Sequence, residues 1–399
     1  MQIGIIGKPS CGKSTFFKAA TLAEVDIANY PFTTIKPNSG VGYIKLKDPA
    51  LDFEKHSNPR NGFVLGEFRF VPVELIDVAG LVPGAHKGHG MGLQFLDDLR
   101  QADVLVHVID VSGSTNEKGE AVDALSYDPS EDVKFLEVEL DMWYYGILKK
   151  GWEKFARTVQ QEKKEIHVAL AKQLSGLGVK EEMIEAAVKQ LNLNEKSQTE
   201  WNAQELQSLA TLLRKETKPM VIACNKIDVP GADENLKKLQ EKFPEHTFIG
   251  CSSESELALK EADKHGLVKY IPGFEKFVLT DNGKLNDKQK AALDFIQKNI
   301  LDKFKSTGVQ AVLNTAVFEV LKYIAIFPGG ASKLEDKDGN VLPDCFLLPG
   351  GSTALDFAYK LHTDFGKNFI RAIDVKSKRT VGKEHLLQNL DIVEIVAGR

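Results

Sequence analysis

The chain has 399 residues, of which 43% are hydrophobic and 27% are charged, and its formal net charge is −5. This length predicts two or three domains of an ordinary globular protein, and the acidic balance argues against a generally basic nucleic-acid binder. The chain begins directly with a strand and has no apolar run near eighteen residues, so we expect a cytoplasmic protein without a signal peptide or membrane span. Four scattered cysteines predict free thiols, at Cys11, Cys224, Cys251 and Cys345.

The first motif is a glycine-bounded loop between a predicted strand at residues 3–6 and a predicted helix from residue 15. The sequence GKPSCGKST has the GxxxxGK[ST] spacing of a phosphate-binding loop. Its backbone N–H groups and the helix N-terminus are expected to bind phosphates, with Lys13 adding a charge for the β- and γ-phosphates and the Ser14 hydroxyl a ligand for Mg²⁺. The residues assigned to this site are Gly7, Lys8, Pro9, Ser10, Cys11, Gly12, Lys13, Ser14 and Thr15.

Two further segments are typical of a phosphate-sensing switch. Thr33 and Thr34 precede a predicted strand, and we expect Thr34 to close over Mg²⁺ and the γ-phosphate, with Thr33 as second choice; the alternative is an ordinary β-forming pair. A strand at 70–76 then leads to DVAG, which has the DxxG spacing. Asp77 is expected to reach Mg²⁺, and the Gly80 N–H to contact the γ-phosphate.

The loop after Gly80 raises the question of what orients the attacking water. Leu81 stands where Ras-like proteins carry a glutamine, and an apolar side chain cannot hold a nucleophilic water. Hydrolysis then needs another group, a partner or the loop backbone. His86 and His89 are the catalytic candidates, because each can position water or carry a proton; the alternative is that both are solvated loop residues.

A helical segment interrupts the α/β pattern after a predicted central strand at 104–110. Apolar residues recur at helical spacing and predict helices at 133–174, 180–191 and 202–215. We interpret this segment as a helical insertion with an antiparallel hairpin, and its aromatic stripe as core.

The motif NKID follows the next buried strand and has the chemistry of a guanine site. Asp228 can accept two hydrogen bonds from the guanine N1–H and 2-amino group, Asn225 can bond the base edge and the phosphate loop, and the stem of Lys226 can lie over the ring. Adenine lacks both donors, so the pattern predicts a preference for guanine. A later strand ends at Ser252 and Ser253, where the Ser253 N–H is expected to approach the guanine carbonyl.

The C-terminal part is predicted to contain bridging helices at 287–305 and 310–324, followed by a compact αβ unit. That unit has strands at 345–348, 371–375 and 391–396 and a helix at 354–361. Its basic side chains suit either a phosphate backbone or a mixed solvated surface, and they are Lys360, Lys367, Arg371, Lys376, Lys378, Arg379 and Lys383.

These motifs together resemble a translation-factor-class GTPase. The runs NYPFTTIKPN (29–38) and DVAGLVPGAHKGHGMGLQFL (77–96) are similar to Obg-family signatures, and PGGSTALDFAYKLHTDFGKNFIRA resembles a TGS domain, a module also found in threonyl-tRNA synthetase. Nearly the whole chain resembles the Obg-like ATPase (YchF) branch, especially its archaeal GTP-binding relatives. The resemblance implies an α/β fold: a Ras-like P-loop NTPase G domain with a mostly parallel sheet, an α-helical insertion and a C-terminal ubiquitin-like (β-grasp) TGS domain.

The domain boundaries expected from this resemblance are 1–111 and 217–280 for the two parts of the G domain, 112–216 for the insertion, 281–322 for a helical bridge and 323–399 for the TGS domain. The family implies a slow, Mg²⁺-dependent switch that binds GTP and GDP, hydrolyses GTP and acts with ribosomes or RNA in the cytoplasm. A monomer is favoured.

Two departures from the family pattern matter. Obg-like ATPases have a degraded base motif ending in Glu and accept ATP, whereas the intact NKID predicts GTP over ATP. Ser10 stands where potassium-stimulated relatives have Asn, which argues against potassium activation. The alternatives are an ATP-preferring Obg-like ATPase, a largely non-hydrolysing RNA-binding scaffold gated by nucleotide, and a P-loop kinase of a small metabolite. The combination of DxxG, NKxD and TGS argues against the kinase.

Overall fold

The computed structural model describes residues 1–22, 38–78, 99–280 and 285–398. In this part of the chain the strands are β1 Gln2–Ile6, β2 Ser39–Lys47, β3 Phe63–Leu65, β4 Phe68–Asp77, β5 Val104–Asp110, β6 Met220–Asn225, β7 Thr247–Cys251, β8 Val268–Tyr270, β9 Phe277–Leu279, β10 Tyr323–Pro328, β11 Phe346–Pro349, β12 Phe369–Asp374, β13 Arg379–Val381 and β14 Ile392–Ala397.

The α-helices of the described residues are α1 Lys13–Thr21, α2 Ser130–Lys149, α3 Trp152–Gln161, α4 Ile166–Gln173, α5 Glu181–Gln190, α6 Ala203–Thr217, α7 Ala232–Lys242, α8 Ser253–Lys264, α9 Asp287–Ile296, α10 Asp302–Phe304, α11 Val309–Thr315, α12 Ala354–Leu361 and α13 Thr363–Lys367. π-Helical segments, Gln297–Leu301 and Ala316–Val320, extend α9 and α11.

The chain divides into two compact units. The phosphate-loop unit comprises Gln2–Phe17 and Ile76–Ser253, and the C-terminal unit comprises Met1, Lys18–Leu75 and Glu254–Arg399. The helical insertion therefore belongs to the same unit as the phosphate loop.

The phosphate-loop unit contains a run of parallel strands in the order β1-β5-β6-β7. The side chains of β1, β5 and β6 are almost all buried, and such continuous apolar strands are typical of parallel sheets covered on both faces. Because all four strands run the same way, their carboxyl ends meet at one edge of the sheet, where α/β proteins bind ligands. The mostly parallel sheet expected from the sequence is confirmed.

The insertion has more helices than its periodicity predicted. The single helix expected at 133–174 is wrong: α2, α3 and α4 replace it, because Gly151 and Lys163 adopt left-handed φ angles of 74° and 50° that end a helix. The aromatic stripe is core, as interpreted. Trp143 and the stacked pair Trp152 and Trp201, with ring centroids 5.5 Å apart, are buried among the helices.

The C-terminal unit ends in a five-stranded sheet in the order β11-β10-β14-β12-β13, with β10 and β14 parallel and α12 packed on one face. The core between helix and sheet includes Ile326, Phe357 and Val393. The predicted strands at 345–348, 371–375 and 391–396 are found as β11, β12 and β14. The helix expected at 310–324 is wrong at its end, because β10 begins at Tyr323. This β-grasp arrangement confirms the predicted ubiquitin-like fold.

Two polar side chains, the half-buried Asn314 and the buried Arg69, hold other parts of the C-terminal unit together. The Asn314 amide accepts a hydrogen bond from the Lys45 N–H at 3.0 Å and donates one to the Lys45 carbonyl at 2.6 Å, as a neighbouring strand would. Arg69, only 1% exposed, donates to the carbonyls of Leu342 and Pro343. A buried guanidinium needs such acceptors, so this contact fixes the loop before β11 against β4.

In the same unit a second arginine, the exposed Arg60, also contacts the loop before β11. Arg60, on the turn before β3, pairs with both carboxylate oxygens of Asp344 at 3.0 and 2.9 Å, and the Arg60 side chain is 55% exposed.

Among the described residues, no helix is both long and apolar enough to cross a membrane.

Candidate nucleotide-binding site

The candidate site is built at the carboxyl ends of the parallel strands. In the strand register, Asp110 at the end of β5 is paired with Asn225 at the end of β6, and Asn225 is paired with Cys251 at the end of β7. The phosphate loop follows β1, their neighbour on the other side. The fold thereby brings the loop and the NKID motif, more than 200 residues apart in the sequence, to one edge.

The phosphate loop runs from Gly7 to the first turn of α1, which begins at Lys13. Gly12 has a φ of 90°, and a Cβ there would lie 2.1 Å from the Asn225 Nδ2, so only glycine fits. Because α1 starts directly after this turn, its free N–H groups and its dipole favour a bound anion. Ser14 is exposed in the first helical turn, and Pro9 and Ser10 are exposed on the loop.

Lys13 and Asp77 meet at the start of α1. The Lys13 ammonium is paired with the carboxylate of Asp77, the last residue of β4. This contact places the predicted phosphate-binding cation beside the predicted Mg²⁺ ligand. The nearby oxygen donors, the Ser14 hydroxyl and the Asp77 carboxylate, are of the kind that Mg²⁺ prefers, so the donor set fits this ion.

Asn225 joins the base motif to the phosphate loop. Its Nδ2 donates to the Cys11 carbonyl at 3.0 Å, as predicted for this residue. Its Oδ1 accepts from the Ser253 N–H at 3.0 Å and the Ser253 hydroxyl at 2.8 Å. The Ser253 N–H is thus bonded to Asn225, and its approach to the guanine carbonyl stays a prediction. Ser252, its neighbour, is buried.

Lys226 is held by an acidic residue that the sequence analysis missed. Its ammonium lies 2.8 Å from Asp110 Oδ2 and 3.2 Å from the Ser114 hydroxyl, and its backbone has a left-handed φ of 65°. Asp110, fully buried, also accepts from Ser112 and Thr115. Burial alone would raise the pKa of Asp110, but these hydrogen bonds and the Lys226 charge outweigh it and hold the pKa below its ordinary value.

The sequence does contain a signal for this carboxylate. DVSGST places an aspartate at the end of a buried strand and three hydroxyl residues among the next five positions. Carboxyl ends of neighbouring parallel strands converge, so a partner for the NKID lysine was to be expected there. The Lys226 side chain is therefore held at its ammonium end by Asp110 as well as at its backbone.

Asp228 and Lys8, both predicted site residues, differ in whether their side chains are available to a ligand. Asp228 is half-buried, and within the described residues its carboxylate has no hydrogen-bond or ion-pair partner, so both oxygens are available to the edge of a base. The Lys8 ammonium, in contrast, is buried and donates to the Thr115 carbonyl. Lys8 can therefore contribute to a phosphate site through its backbone alone.

The thiol in the phosphate loop is not a candidate nucleophile. Cys11 is fully buried, and burial raises its pKa to about 11. All four cysteines of the sequence are free thiols, as predicted.

The remaining candidates of the sequence analysis lie outside the described residues. They are Thr33, Thr34, Gly80, Leu81, His86 and His89. Their roles at the γ-phosphate and the attacking water stay predictions.

Comparison with known families assigns most of the chain. Residues 2–138 match the family model described as a 50S ribosome-binding GTPase, and residues 223–329 match the model described as Obg-like GTPase YGR210-like, G4 motif-containing domain. Residues 336–397 match the TGS domain.

Individual proteins are similar over almost the full length. A GTP-binding protein of Methanocaldococcus jannaschii is 48% identical, with 99% of both chains covered. The crystal structure of a GTP-binding protein from Pyrococcus horikoshii OT3 is similar with a TM-score of 0.80, 40% identity and 100% of both chains covered. The ribosome-binding ATPase YchF of Escherichia coli O157:H7 is 27% identical, with 93% of this chain and 87% of that protein covered.

Proposed function

The chain belongs to the Obg-like family of P-loop GTP-binding proteins with a TGS domain, and on that premise we propose that it is a slow, Mg²⁺-dependent GTPase that acts as a switch on ribosomes or RNA. The observation that carries the proposal is the geometry of the base motif: Asn225 bonds the phosphate loop while Asp110 anchors Lys226 and the Asp228 carboxylate is left available.

Guanine specificity follows from the available carboxylate. Guanine presents N1–H and the 2-amino group as paired donors. Asp228 has two acceptor oxygens, and no residue in the described part of the chain is bonded to them. Adenine has no matching donors and would leave a half-buried carboxylate unpaired, which costs about 1–3 kcal/mol per unmade hydrogen bond. We therefore propose GTP and GDP as the nucleotides.

The phosphate side of the site supports a phosphoryl-transfer role. The first turn of α1 and the backbone of the loop stabilise negative charge, and Lys13 adds a cation where charge develops on the γ-phosphate. Mg²⁺ held by Ser14 and Asp77, with Thr34 expected as a third ligand, would neutralise further phosphate charge.

A low rate is the expectation because the usual water-orienting glutamine is replaced by Leu81. His86 and His89 stay the candidates for that task, with a partner protein or RNA as the alternative. Potassium is not proposed as an activator, since Ser10 stands at the position of the expected ligand.

Ribosome or RNA binding is proposed from two findings. The matched family model is described as a 50S ribosome-binding GTPase, and a relative over most of the chain is named a ribosome-binding ATPase. The TGS domain and the helical insertion are the proposed contact regions, in a cytoplasmic, monomeric protein.

The deciding experiment measures the affinities of GTP, GDP, ATP and ADP for the full chain by calorimetry, with Mg²⁺ present. We expect guanine nucleotides to bind at least about tenfold more tightly, since one lost pair of donors is worth more than about 1.4 kcal/mol. A preference for ATP would replace the proposal by the second candidate, an ATPase like the named YchF relative. Nucleotide binding without turnover, even with ribosomes present, would favour a non-hydrolysing scaffold.

A base-specific variant sharpens this test. Asp228→Asn presents one donor and one acceptor, so it is expected to lose guanine preference and to accept xanthine nucleotides, which carry a carbonyl in place of the 2-amino group. Asp338→Asn, at an exposed aspartate of the C-terminal unit, is the matched control. An Asp228→Asn variant that still prefers GTP over XTP would refute the base assignment.

A further inference from the structure

The phosphate loop contains a buried charged side chain, that of Lys8, which is not explained by direct contact with a nucleotide. Lys8 is only 4% exposed, and its ammonium lies 2.8 Å from Asp132 Oδ2, 2.8 Å from the Thr115 carbonyl and 4.0 Å above the centre of the Tyr127 ring. A buried ammonium is tolerated only when such partners replace its water. Lys8 therefore ties the loop to three residues that follow it by more than 100 positions.

Those partners belong to the entry of the helical insertion. Asp132 lies in the first turn of α2, is 4% exposed, and also accepts a hydrogen bond from the Tyr127 hydroxyl at 3.0 Å. The carboxylate is thus enclosed by an ammonium and a phenol. The ion pair between Lys8 and Asp132 is a charged contact that joins the phosphate loop to α2.

The segment between β5 and α2 also touches the loop through backbone. Gly119 has a φ of 80°, and a Cβ there would lie 2.6 Å from the Pro9 carbonyl oxygen. A bridge between Thr115 and Ala121 closes this segment on itself. We name residues 110–132 the brace, because the segment supports the outer side of the phosphate loop.

The brace reaches the base motif as well. Thr115 uses its carbonyl for Lys8 and its hydroxyl for Asp110, which it contacts at 2.8 Å. Asp110 in turn holds Lys226 of the NKID motif. One continuous set of polar contacts therefore runs from the guanine-site lysine through the brace to the phosphate loop and α2, all within the phosphate-loop unit.

We propose that Lys8 is a positioning residue that fastens the phosphate loop to the helical insertion through Asp132, so that nucleotide binding orders the brace and the start of α2. The physical reason is that a buried ion pair resists separation: a loop shape that moved Lys8 away would leave two uncompensated buried charges. This inference rests on the proposed function only in requiring a nucleoside phosphate in the loop. It does not require that the base be guanine.

The test compares full-length wild type with Lys8→Met, Asp132→Asn and the double variant, measuring GDP and GTP affinity and backbone hydrogen exchange at residues 113–140. Lys8→Met keeps the apolar part of the side chain and removes the charge. The double variant buries no charge at all, so the comparison can still be made with it if a single variant unfolds. Asp141→Asn is the matched control, because Asp141 pairs with buried Arg214 between α2 and α6, within the insertion.

We expect Lys8→Met and Asp132→Asn each to weaken both nucleotides at least tenfold, and the double variant to be no weaker than the worse single variant, since both remove one contact. In wild type and Asp141→Asn, nucleotide should slow exchange at 113–140. In Lys8→Met at saturating nucleotide that slowing should be lost, which a merely stabilising role for Lys8 would not produce.

The proposal is overturned if folded Lys8→Met keeps wild-type affinity, or if saturating nucleotide still slows exchange at 113–140 in that variant. A wild type that prefers ATP refutes the guanine assignment alone, and the same comparison then proceeds with ATP and ADP. A wild type that binds no nucleotide overturns this proposal and the proposed function together.

Discussion

Asp110 offers the sharpest quantitative prediction about the base site. Asp110→Asn keeps the size of the side chain and one oxygen, which can still accept from the Ser112 N–H and hydroxyl. The other carboxylate oxygen is replaced by an NH₂ group facing three donors, those of Ser114, Thr115 and Lys226. The two hydroxyls can rotate and accept a hydrogen bond, but the Lys226 ammonium cannot.

The expected loss is one charge-assisted hydrogen bond between Asp110 and Lys226. Such bonds contribute about 1.5–3 kcal/mol, and the Lys226 side chain is 28% exposed, so water recovers part of this amount. We take about 2 kcal/mol, which corresponds to roughly a 30-fold change in an equilibrium constant. The change should appear in GDP affinity, because the freed Lys226 no longer holds its stem in one place beside the base.

The assay is titration calorimetry of GDP with wild type, Asp110→Asn, Lys226→Met and the double variant. We expect the two single variants to weaken GDP similarly and the double variant to add little, because both act through the same contact. If Asp110→Asn binds GDP within twofold of wild type while Lys226→Met is weakened, Asp110 does not position Lys226 and the reasoning is wrong.

Three further outcomes are expected. Arg69→Met leaves the Leu342 carbonyl unpaired, while the Pro343 carbonyl keeps its hydrogen bond from the Arg60 N–H, so the free energy of unfolding in urea should fall by about 2 kcal/mol. The exposed-pair control Arg60→Met should cost less than about 1 kcal/mol. Gly12→Ala forces a side chain into a left-handed turn against Asn225, so its GDP affinity should fall at least about tenfold by calorimetry. Burial raises the pKa of Asp132 from 3.8 to about 6, which favours the protonated form in the folded state. Stability from that proton is full below pH 3.8 and is lost as pH rises through 6, so urea unfolding between pH 4 and 6 should show wild type losing about 1–3 kcal/mol more than Asp132→Asn.

The sequence was sufficient wherever chemistry imposes a fixed local spacing. The phosphate loop, Asp77 after its strand and the NKID motif could be placed because each combines a buried strand with polar residues at defined offsets. The β-grasp strands could be placed for a similar reason, since alternating apolar runs bounded by turns are local signals. Strand β10 was missed because the helix predicted at 310–324 was extended over its start, and β13 was missed because three residues are too few to show a period.

The ion pairs of the site could not be read in this way. Lys8 and Asp132 are 124 positions apart, and Asp110 and Lys226 are 116 apart. No offset rule links such residues, because the pairing is set by the parallel strand register and the return of the chain from the insertion. The hydrogen bond from the Ser253 N–H to Asn225 has the same origin, because only the fold shows that the two residues lie close together.

The placement of the tryptophans gives the molecule a built-in optical reporter. All three tryptophans of the sequence, Trp143, Trp152 and Trp201, lie in the insertion, each 6% exposed. Intrinsic tryptophan emission therefore comes from the phosphate-loop unit alone, whereas far-ultraviolet circular dichroism sums the backbone of both units. Two unfolding curves recorded on the same sample, one by each signal, will coincide if the units unfold together and separate if they do not. Tryptophan fluorescence thus reports on the phosphate-loop unit without chemical labelling.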